Sequence, residues 1–133
     1  MKKLFLLLSA MIASTVLAQS PVSGVAPKYI KPVTSTAPEA SHIIKAFPSS
    51  LFSISVQDSA ADFIFVIDSA TLPSDGTVVL LTAPIKLAAA GSQTITFPVP
   101  LRALNGIVVC TSSTGGVTKT IAGSTAIFSV QAQ

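Results

Sequence analysis

Four aspartates near predicted turns are the residues of this chain best suited to chemistry. Asp58 and Asp62 lie in one predicted turn, Asp68 ends the strand that follows, and Asp75 lies in the turn Pro73–Gly76. Calcium prefers carboxylate oxygens of this kind from loops, and a carboxylate pair suffices for glycoside hydrolysis. Short acids also cap turns by accepting hydrogen bonds from the local backbone. The pattern therefore favours turn capping, with a calcium site as a weaker alternative and acid-base catalysis as the weakest.

Other catalytic side chains are scarce. The chain has one histidine, His42, and one cysteine, Cys110. A nucleophilic triad would need His42 as its base at the entrance of the predicted domain, and one histidine with one cysteine cannot complete a four-ligand zinc site. The sequence also has no phosphate-binding loop or dinucleotide motif. We therefore predict no catalytic residues, no cofactor and no enzyme activity.

The elements that would position these residues are predicted to be β-strands. Leu51–Val56 alternates, with Phe52, Ile54 and Val56 on one face and serines on the other. Phe63–Ile67 is continuously apolar. Such a run is typical of a strand that is covered on both faces, or of a strand whose one face contacts a partner. Further strands are predicted at Thr77–Thr82, Gln93–Val99, Gly106–Thr111, Val117–Ile121 and Ala126–Gln131, and only Ile85–Ala90 has helical character.

Turn residues separate the predicted strands. Asp75-Gly76, Asn105-Gly106 and Gly115-Gly116 are typical of tight β-turns. Short strands at this spacing predict an all-β fold, either an antiparallel β-sandwich or a jelly-roll-like barrel. The large core candidates are Phe47, Phe52, Phe63, Phe65, Phe97 and Phe128. Cys110 lies on a predicted strand, where burial is favoured over pairing between chains.

The N-terminus is predicted to be an export signal over residues 1–18. Lys2 and Lys3 precede an apolar run, and Val16-Leu17-Ala18 offers small residues where a signal peptidase reads them. Cleavage is predicted between Ala18 and Gln19, and the run is short for an uncleaved membrane anchor. We therefore expect no transmembrane span after cleavage and an exported protein, periplasmic or extracellular.

Residues 19–41 are predicted to be a linker, followed by one domain over residues 42–133. Pro21, Pro27, Pro32 and Pro38 remove amide donors and favour extended geometry. The alternative is an arm that docks on a neighbouring subunit through Tyr29 and Ile30. Valine and isoleucine on both faces of some strands leave apolar surface for a second layer or for an oligomer interface, and both remain open.

Charge excludes nucleic acid as a partner. The chain has 8 basic and 5 acidic residues, and two of the basic ones lie in the predicted leader. The others are scattered singly, whereas a nucleic-acid surface needs clustered lysine and arginine. The expected partners are other copies of the chain or other structural proteins.

A resemblance to a viral protein group covers about residues 50–122. The residues that carry it are Phe63–Ala70, Leu72–Gly76, Asn105–Thr114 and Thr118–Ile121. In this order they resemble phrases of small β-rich structural or decoration-like proteins encoded by tailed phages and related viruses. The resemblance implies a non-enzymatic structural protein of virus particles and gives no catalytic residues. The predicted export signal departs from that group and fits a secreted bacterial relative, a prophage product at the cell surface or a membrane-routed virion protein.

Two other hypotheses belong to different classes. The chain could be a secreted ligand-binding domain, dependent on calcium or recognising a glycan through the Ser/Thr/Gly-rich segment Thr111–Thr120. Glycan sites usually contain an aromatic platform, and this chain has no tryptophan and one tyrosine. A carboxylate-dependent hydrolase is the least favoured. We expect an exported or virion-associated structural module that self-associates through the faces of its strands.

Overall fold

The described residues of the computed structural model, 30–60, 62–88, 91–123 and 125–133, form antiparallel β-structure without a helix. The predicted leader and cleavage site lie outside them, as does the linker before Ile30. The strands are β1 (Val33–Thr34), β2 (Ser41–Lys45), β3 (Ser49–Asp58), β4 (Phe63–Asp68), β5 (Gly76–Thr77), β6 (Ile85–Lys86), β7 (Gly91–Ala103), β8 (Ile107–Ser112), β9 (Thr118–Lys119) and β10 (Ala126–Ala132).

Two four-stranded sheets enclose the main core. Sheet A has the order β1-β10-β3-β7 and sheet B the order β2-β8-β4-β6. Alternate residues of each sheet point inward, as the period of two requires. They form one cluster whose buried centre includes Leu51, Ile54, Phe128 and Val130 from sheet A and Ile44, Ile64, Val66, Ile107 and Val109 from sheet B. This all-β, antiparallel arrangement is consistent with the predicted β-sandwich.

The outer face of sheet B is covered by the chain itself. Phe65, Ile67, Val108 and Cys110 point away from the main core and form a second buried cluster. Val78 and Leu80 pack against it from a third layer, which we call the cover layer: the pair β5-β9 and the residues after β5 up to Leu80. The apolar run Phe63–Ile67 is therefore covered on both sides, one of the two alternatives that its composition left open.

β3 departs from the predicted alternation at one point. In the pairing of β3 with β10, Gln131 lies opposite Ser53 and Ala132 opposite Leu51, so Phe52 is a bulge residue, and it is only half-buried. Leu51, which is fully buried, takes the inward place instead. Bulges reverse which residues face the core. The prediction that Phe52 shares a face with Ile54 and Val56 in the core is thus wrong at Phe52.

The aromatic core is smaller than the sequence predicted. Phe65 and Phe128 are fully buried, and Phe63 and Phe97 are partly buried at the margins of the two clusters. Phe47 is 57% exposed in the loop between β2 and β3, which corrects its assignment to the core. Composition alone does not distinguish an aromatic residue in a loop from one on an inward strand position.

The segment predicted as a linker contributes a strand. Val33 and Thr34 pair with Val130 and Ser129 of β10, and the buried Ser35 accepts the backbone N–H of Phe128 through its hydroxyl. The sheet structure therefore begins before residue 42. Prolines are tolerated beside a short edge strand, because one side of such a strand makes no ladder hydrogen bonds.

Residues 85 and 86 also differ from expectation. Helical character is predicted for Ile85–Ala90, whereas Ile85 and Lys86 form β6 and pair with Ile64 and Phe63. Tertiary pairing with β4 outweighs a weak local preference here. β6 is therefore a short strand at one edge of sheet B.

β7 is an edge strand with a proline-rich interruption. Thr96 pairs with Ser53 and Leu101 with Leu51, so four residues of β7, including Pro98 and Pro100, lie opposite Phe52 alone. Proline cannot donate a ladder hydrogen bond and is confined to edges and bulges. The long free side of sheet A is therefore interrupted near its middle.

Candidate functional site

The outer face of sheet A carries an uncharged polar surface, which we call the hydroxyl face. Ladder pairing aligns its side chains in three rows across the sheet. The rows are Thr34, Ser129, Ser55 and Thr94; then Gln131, Ser53 and Thr96; then Ile127, Gln57 and Ser92. These rows contain hydroxyl and amide groups and one apolar residue, with no charged side chain.

Hydrogen bonds between neighbouring strands fix several of these side chains. The Thr34 and Ser129 hydroxyls are 3.1 Å apart and those of Ser55 and Thr94 2.9 Å apart. The Ser53 hydroxyl donates to Oε1 of Gln131 at 3.1 Å. Because each hydroxyl both donates and accepts, these groups keep further hydrogen-bonding capacity towards solvent or a partner. Adjacent strands lie about 4.8 Å apart, so the groups form a regular array.

Asp68 is used to hold a turn. It lies at the end of β4 and accepts the backbone N–H groups of Leu104, Asn105 and Gly106 at 3.1, 2.8 and 3.3 Å. Burial alone would raise the pKa of Asp68, but these hydrogen bonds outweigh it and the pKa lies below the usual value. A Cβ at Gly106 would stand 2.5 Å from the carbonyl oxygen of Lys45, so the turn requires glycine.

Asp75 anchors the cover layer through an ion pair. Its Oδ1 lies 2.6 Å from Nζ of Lys119 and accepts the backbone N–H of Ile121 at 3.0 Å. The Lys119 side chain is only 3% exposed, whereas that of Asp75 is 49% exposed. The hydrogen bond from Lys119 lowers the pKa of Asp75, helped by the Ile121 N–H and by the lysine charge. This pair therefore joins the turn before β5 to β9.

Asp58 and Asp62 lie on either side of the turn between β3 and β4. Asp58 ends β3 and is 1% exposed; its Oδ1 accepts the Ala60 N–H at 3.0 Å and the Thr125 hydroxyl at 2.6 Å. Burial, and then the charge of Asp58, raise the pKa of Asp62. The fold thus brings together Asp58 and Asp62 and assigns Asp68 and Asp75 to separate turns.

The predicted calcium candidates are consequently divided among three places. Within residues 30–60, 62–88, 91–123 and 125–133, no three histidine, cysteine, aspartate or glutamate side chains form a group able to hold a metal ion. Turn capping, the favoured interpretation, agrees with the backbone N–H contacts of Asp68 and of Oδ1 of Asp58. The second oxygen of Asp58, Oδ2, has no hydrogen-bond partner among the described residues.

His42 and Cys110 lie on the paired strands β2 and β8. Nδ1 of His42 is 2.7 Å from Oε1 of Glu39. Cys110 is a free cysteine on β8 in the second cluster, and the predicted burial of its side chain is confirmed. Burial raises the pKa of its thiol to about 11, so the thiolate nucleophile is strongly disfavoured near neutral pH.

The hydroxyl face is the surface that sequence reasoning missed. The signal was present as alternation: Ser53-x-Ser55, Thr94-x-Thr96 and Ser129-x-Gln131 each repeat a polar residue with a period of two. The alternation of one strand does not reveal which strands are neighbours. Only the order β1-β10-β3-β7 combines these short patterns into one surface.

Some large apolar residues are exposed outside the hydroxyl face. Phe47 and Leu104 lie in loops and Val99 in the interruption of β7, and they are 57%, 66% and 78% exposed, respectively. Exposed apolar residues that occur singly are ordinary in proteins. In the described part of the chain, no helix is long and apolar enough to cross a membrane.

Comparisons with known proteins add no relative to this description. Family models, characterised proteins and solved structures were all compared with the chain, and none of them matches it.

Proposed function

We propose that this protein is a non-catalytic, exported or virion-associated structural module, a β-sandwich that self-associates through the hydroxyl face. The observation that carries the proposal is the absence of charge from three rows of side chains, one that crosses four adjacent strands and two that cross three. Two such faces can approach each other without like-charge repulsion and without the cost of removing ions from water. The outer face of sheet B needs no such partner, because the cover layer already covers it.

A second copy suits the hydroxyl face better than a glycan does. The face offers matched donors and acceptors, so it is complementary to itself in a two-fold arrangement. Its three rows contain no aromatic ring on which a sugar could stack. Ile127 contributes an apolar contact at one end, where it is 37% exposed.

Charge placed on the face tests self-association. We expect light scattering after size-exclusion chromatography to give an oligomer for the unmodified protein and a monomer for the double variant Ser55→Lys/Thr94→Lys. Like charges across an interface cost several kcal/mol. The matched control is Thr118→Lys, an exposed threonine on β9 outside the hydroxyl face. A monomer before any substitution, or an oligomer that tolerates both lysines, would contradict the proposal.

Export is tested separately at the N-terminus. The proposed signal segment ends at Ala18, so the protein recovered from the periplasm or the medium should begin at Gln19. Intact-mass spectrometry of the exported protein distinguishes this from an uncleaved chain. Retention of the first residues in the exported material would contradict cleavage and favour a membrane anchor.

A further inference from the structure

Two short loops lie side by side at one end of the sandwich. Residues 46–48 connect β2 to β3 and residues 104–106 connect β7 to β8, so each loop crosses from one sheet to the other. Ser49 at the start of β3 pairs with Ala103 at the end of β7. The two loops are therefore neighbours, and each is only three residues long.

Each of these loops exposes a large apolar side chain. Phe47 is 57% exposed and Leu104 is 66% exposed. Exposed apolar residues that occur singly need no explanation, whereas apolar residues that are grouped and bordered by polar ones mark contact with another protein or with a membrane. Phe47 and Leu104 lie on adjacent loops, so they form one apolar tip at this end of the molecule.

Three basic residues border the apolar tip. Lys45 ends β2, and its Nζ lies 5.6 Å from the centroid of the Phe47 ring. Arg102 is exposed near the end of β7, in the strand that leads into the second loop. Lys31 is exposed just before β1, on the side where β10 ends, because these two strands are antiparallel. We call this set the basic end: Lys31, Lys45, Phe47, Arg102 and Leu104.

Acidic side chains lie at the opposite end of the sandwich. Asp58 ends β3, Asp62 comes just before β4, and Glu39 bridges to the first residue of β10. Lys86 of β6 is beside them, because it pairs with the first residue of β4. Among the described residues, the acid of the basic end is Asp68, and three backbone N–H groups already bind its carboxylate. The fold therefore collects at one end cations that the sequence distributes singly.

We propose that the basic end docks on an anionic lipid surface, with Phe47 and Leu104 at the boundary of the acyl chains and the three cations among the headgroups. Membrane association of this kind is strengthened by the apolar area that is buried and by attraction to anionic lipids. Each lysine or arginine near a negative surface adds to it. The basic end supplies both contributions in one place.

A lipid surface fits this end better than a soluble partner does. A dissolved polyanion would match the cations but would leave both apolar side chains in water. An acidic protein would have to provide an apolar pocket for each of two separate loops, whereas a fluid acyl layer adapts to any such arrangement. The chain also enters the fold at this end through Ile30, and the predicted export signal precedes it in sequence.

Docking by the basic end leaves the hydroxyl face free. The rows of that face run across sheet A and share no residue with the basic end. A protein that contacts a lipid surface through its basic end can therefore still pair with a second copy through its hydroxyl face. Lipid docking goes beyond the proposed self-association and is tested without it.

Co-sedimentation with vesicles tests the docking, using the protein recovered after export. Vesicles of phosphatidylcholine with phosphatidylglycerol should bind it, vesicles of phosphatidylcholine alone should bind it much less, and added salt should weaken binding because it screens exposed charges. Equal binding to both kinds of vesicle would overturn the assignment to anionic lipid. No binding to either would overturn docking on lipid altogether and leave a protein partner as the occupant of this end.

Removal of the apolar tip should have the larger effect. The double variant Phe47→Ser/Leu104→Ser should weaken binding to the anionic vesicles by more than about tenfold, because it removes two exposed apolar side chains. The matched control is Val117→Ser/Ile121→Ser, which removes two side chains that are 56% and 52% exposed on either side of β9. An equal loss in both double variants would show that the basic end is not the site.

Removal of single charges should have a smaller effect. Lys45→Gln and Arg102→Gln should each weaken binding about fivefold at low ionic strength. The control Lys86→Gln removes a cation at the opposite end and should change binding little. Because every variant has the same N-terminus, the differences between them belong to the substituted positions. Unchanged binding in both Lys45→Gln and Arg102→Gln would contradict the proposal.

A dye on the apolar tip distinguishes insertion from adsorption. Phe47→Cys labelled with an environment-sensitive fluorophore should shift its emission to shorter wavelength on anionic vesicles, whereas the same label at Val117→Cys should not. Cys110 is buried and stays unlabelled in the folded protein. An unshifted label at position 47 would overturn insertion of the tip.

Discussion

The outer faces of the two sheets differ in almost every respect. On sheet B, Phe65, Ile67, Val108 and Cys110 are apolar, buried and covered by a third layer of the same chain. On sheet A, the hydroxyl face is polar, uncharged and uncovered. Sheet B is therefore stabilised by burial of both of its faces, whereas sheet A leaves one face available for contact.

The same difference is visible in the way each strand alternates. β8 is buried at every position, whereas β10 alternates between buried and more exposed positions along its length. A strand between two layers has no solvent side, and a strand on the surface of a sandwich has one. The following substitutions test whether the two faces have the separate roles that this contrast implies.

Phe65→Ala should have the largest effect, because it opens a cavity between sheet B and the cover layer. Fully buried phenylalanine side chains cost about 3–5 kcal/mol when truncated, and Phe65 is fully buried. Thr94→Ala on the hydroxyl face is the matched comparison and should change the free energy of unfolding by no more than about 0.5 kcal/mol. Urea unfolding of both variants measures the contrast, and similar losses would show that the faces are energetically alike.

Thiol reactivity should differ by more than about a hundredfold between the two faces, since a thiolate fraction changes tenfold per pKa unit. Cys110 is buried and its pKa is raised to about 11, so a disulfide reagent at pH 8 should label it only after unfolding. The variant Ser55→Cys/Cys110→Ala carries its thiol on the hydroxyl face and should react at once. Fast labelling of Cys110 in the folded protein would mean that the cover layer opens readily.

The ion pair between Asp75 and Lys119 should make the cover layer sensitive to acid. A carboxyl with a pKa below its value of 3.8 in the unfolded chain stabilises the fold above that pH, and this stabilisation is lost as the pH falls through the folded pKa. Asp75→Asn should therefore lower stability at pH 7 and weaken the decline below pH 3.8. Urea unfolding from pH 7 to pH 2 checks both parts.

The comparison for this prediction is Asp68, whose pKa is also lowered and which remains in the variant. Some acid sensitivity should consequently persist in Asp75→Asn. A variant that is as stable as the unmodified protein at neutral pH would show that the buried Lys119 finds another partner.

The smallest effect is expected for the hydrogen bond between Ser55 and Thr94. A double-mutant cycle with alanine at each position should give a coupling of about 0.2–0.5 kcal/mol, the lower part of the range for cross-strand pairs. Both side chains lie on the uncovered face, where water replaces the lost partner. A coupling as large as the Phe65→Ala loss would mean that the hydroxyl face stabilises the fold itself.

The sequence predicted the long strands well and the short ones poorly. The main ladders β3, β4, β7, β8 and β10 coincide with predicted strands, because alternation and apolar runs extend over enough residues to be seen. β1 and β6 have two residues each and depend on pairing with β10 and β4. No local pattern of that length specifies a strand.

The sequence was sufficient to identify the residues of the candidate sites, but not their arrangement in space. Asp58, Asp62, Asp68 and Asp75 were recognisable from their turns, but their contacts depend on which loops meet. Leu104 and Lys119 reach their aspartates from 36 and 44 positions away in the chain. The hydroxyl face likewise depends on strand order, which equal spacing of strands does not determine.

The prolines in β7 affect the tendency of this protein to aggregate at high concentration. An exposed edge strand is a template on which another chain can add its own strand, and repetition of that step leads to fibrils. Pro98 and Pro100 interrupt the longest free edge of sheet A. The other edge of that sheet is the two-residue strand β1. We therefore expect contact between copies to end in closed pairs of limited size rather than to continue as open-ended ribbons.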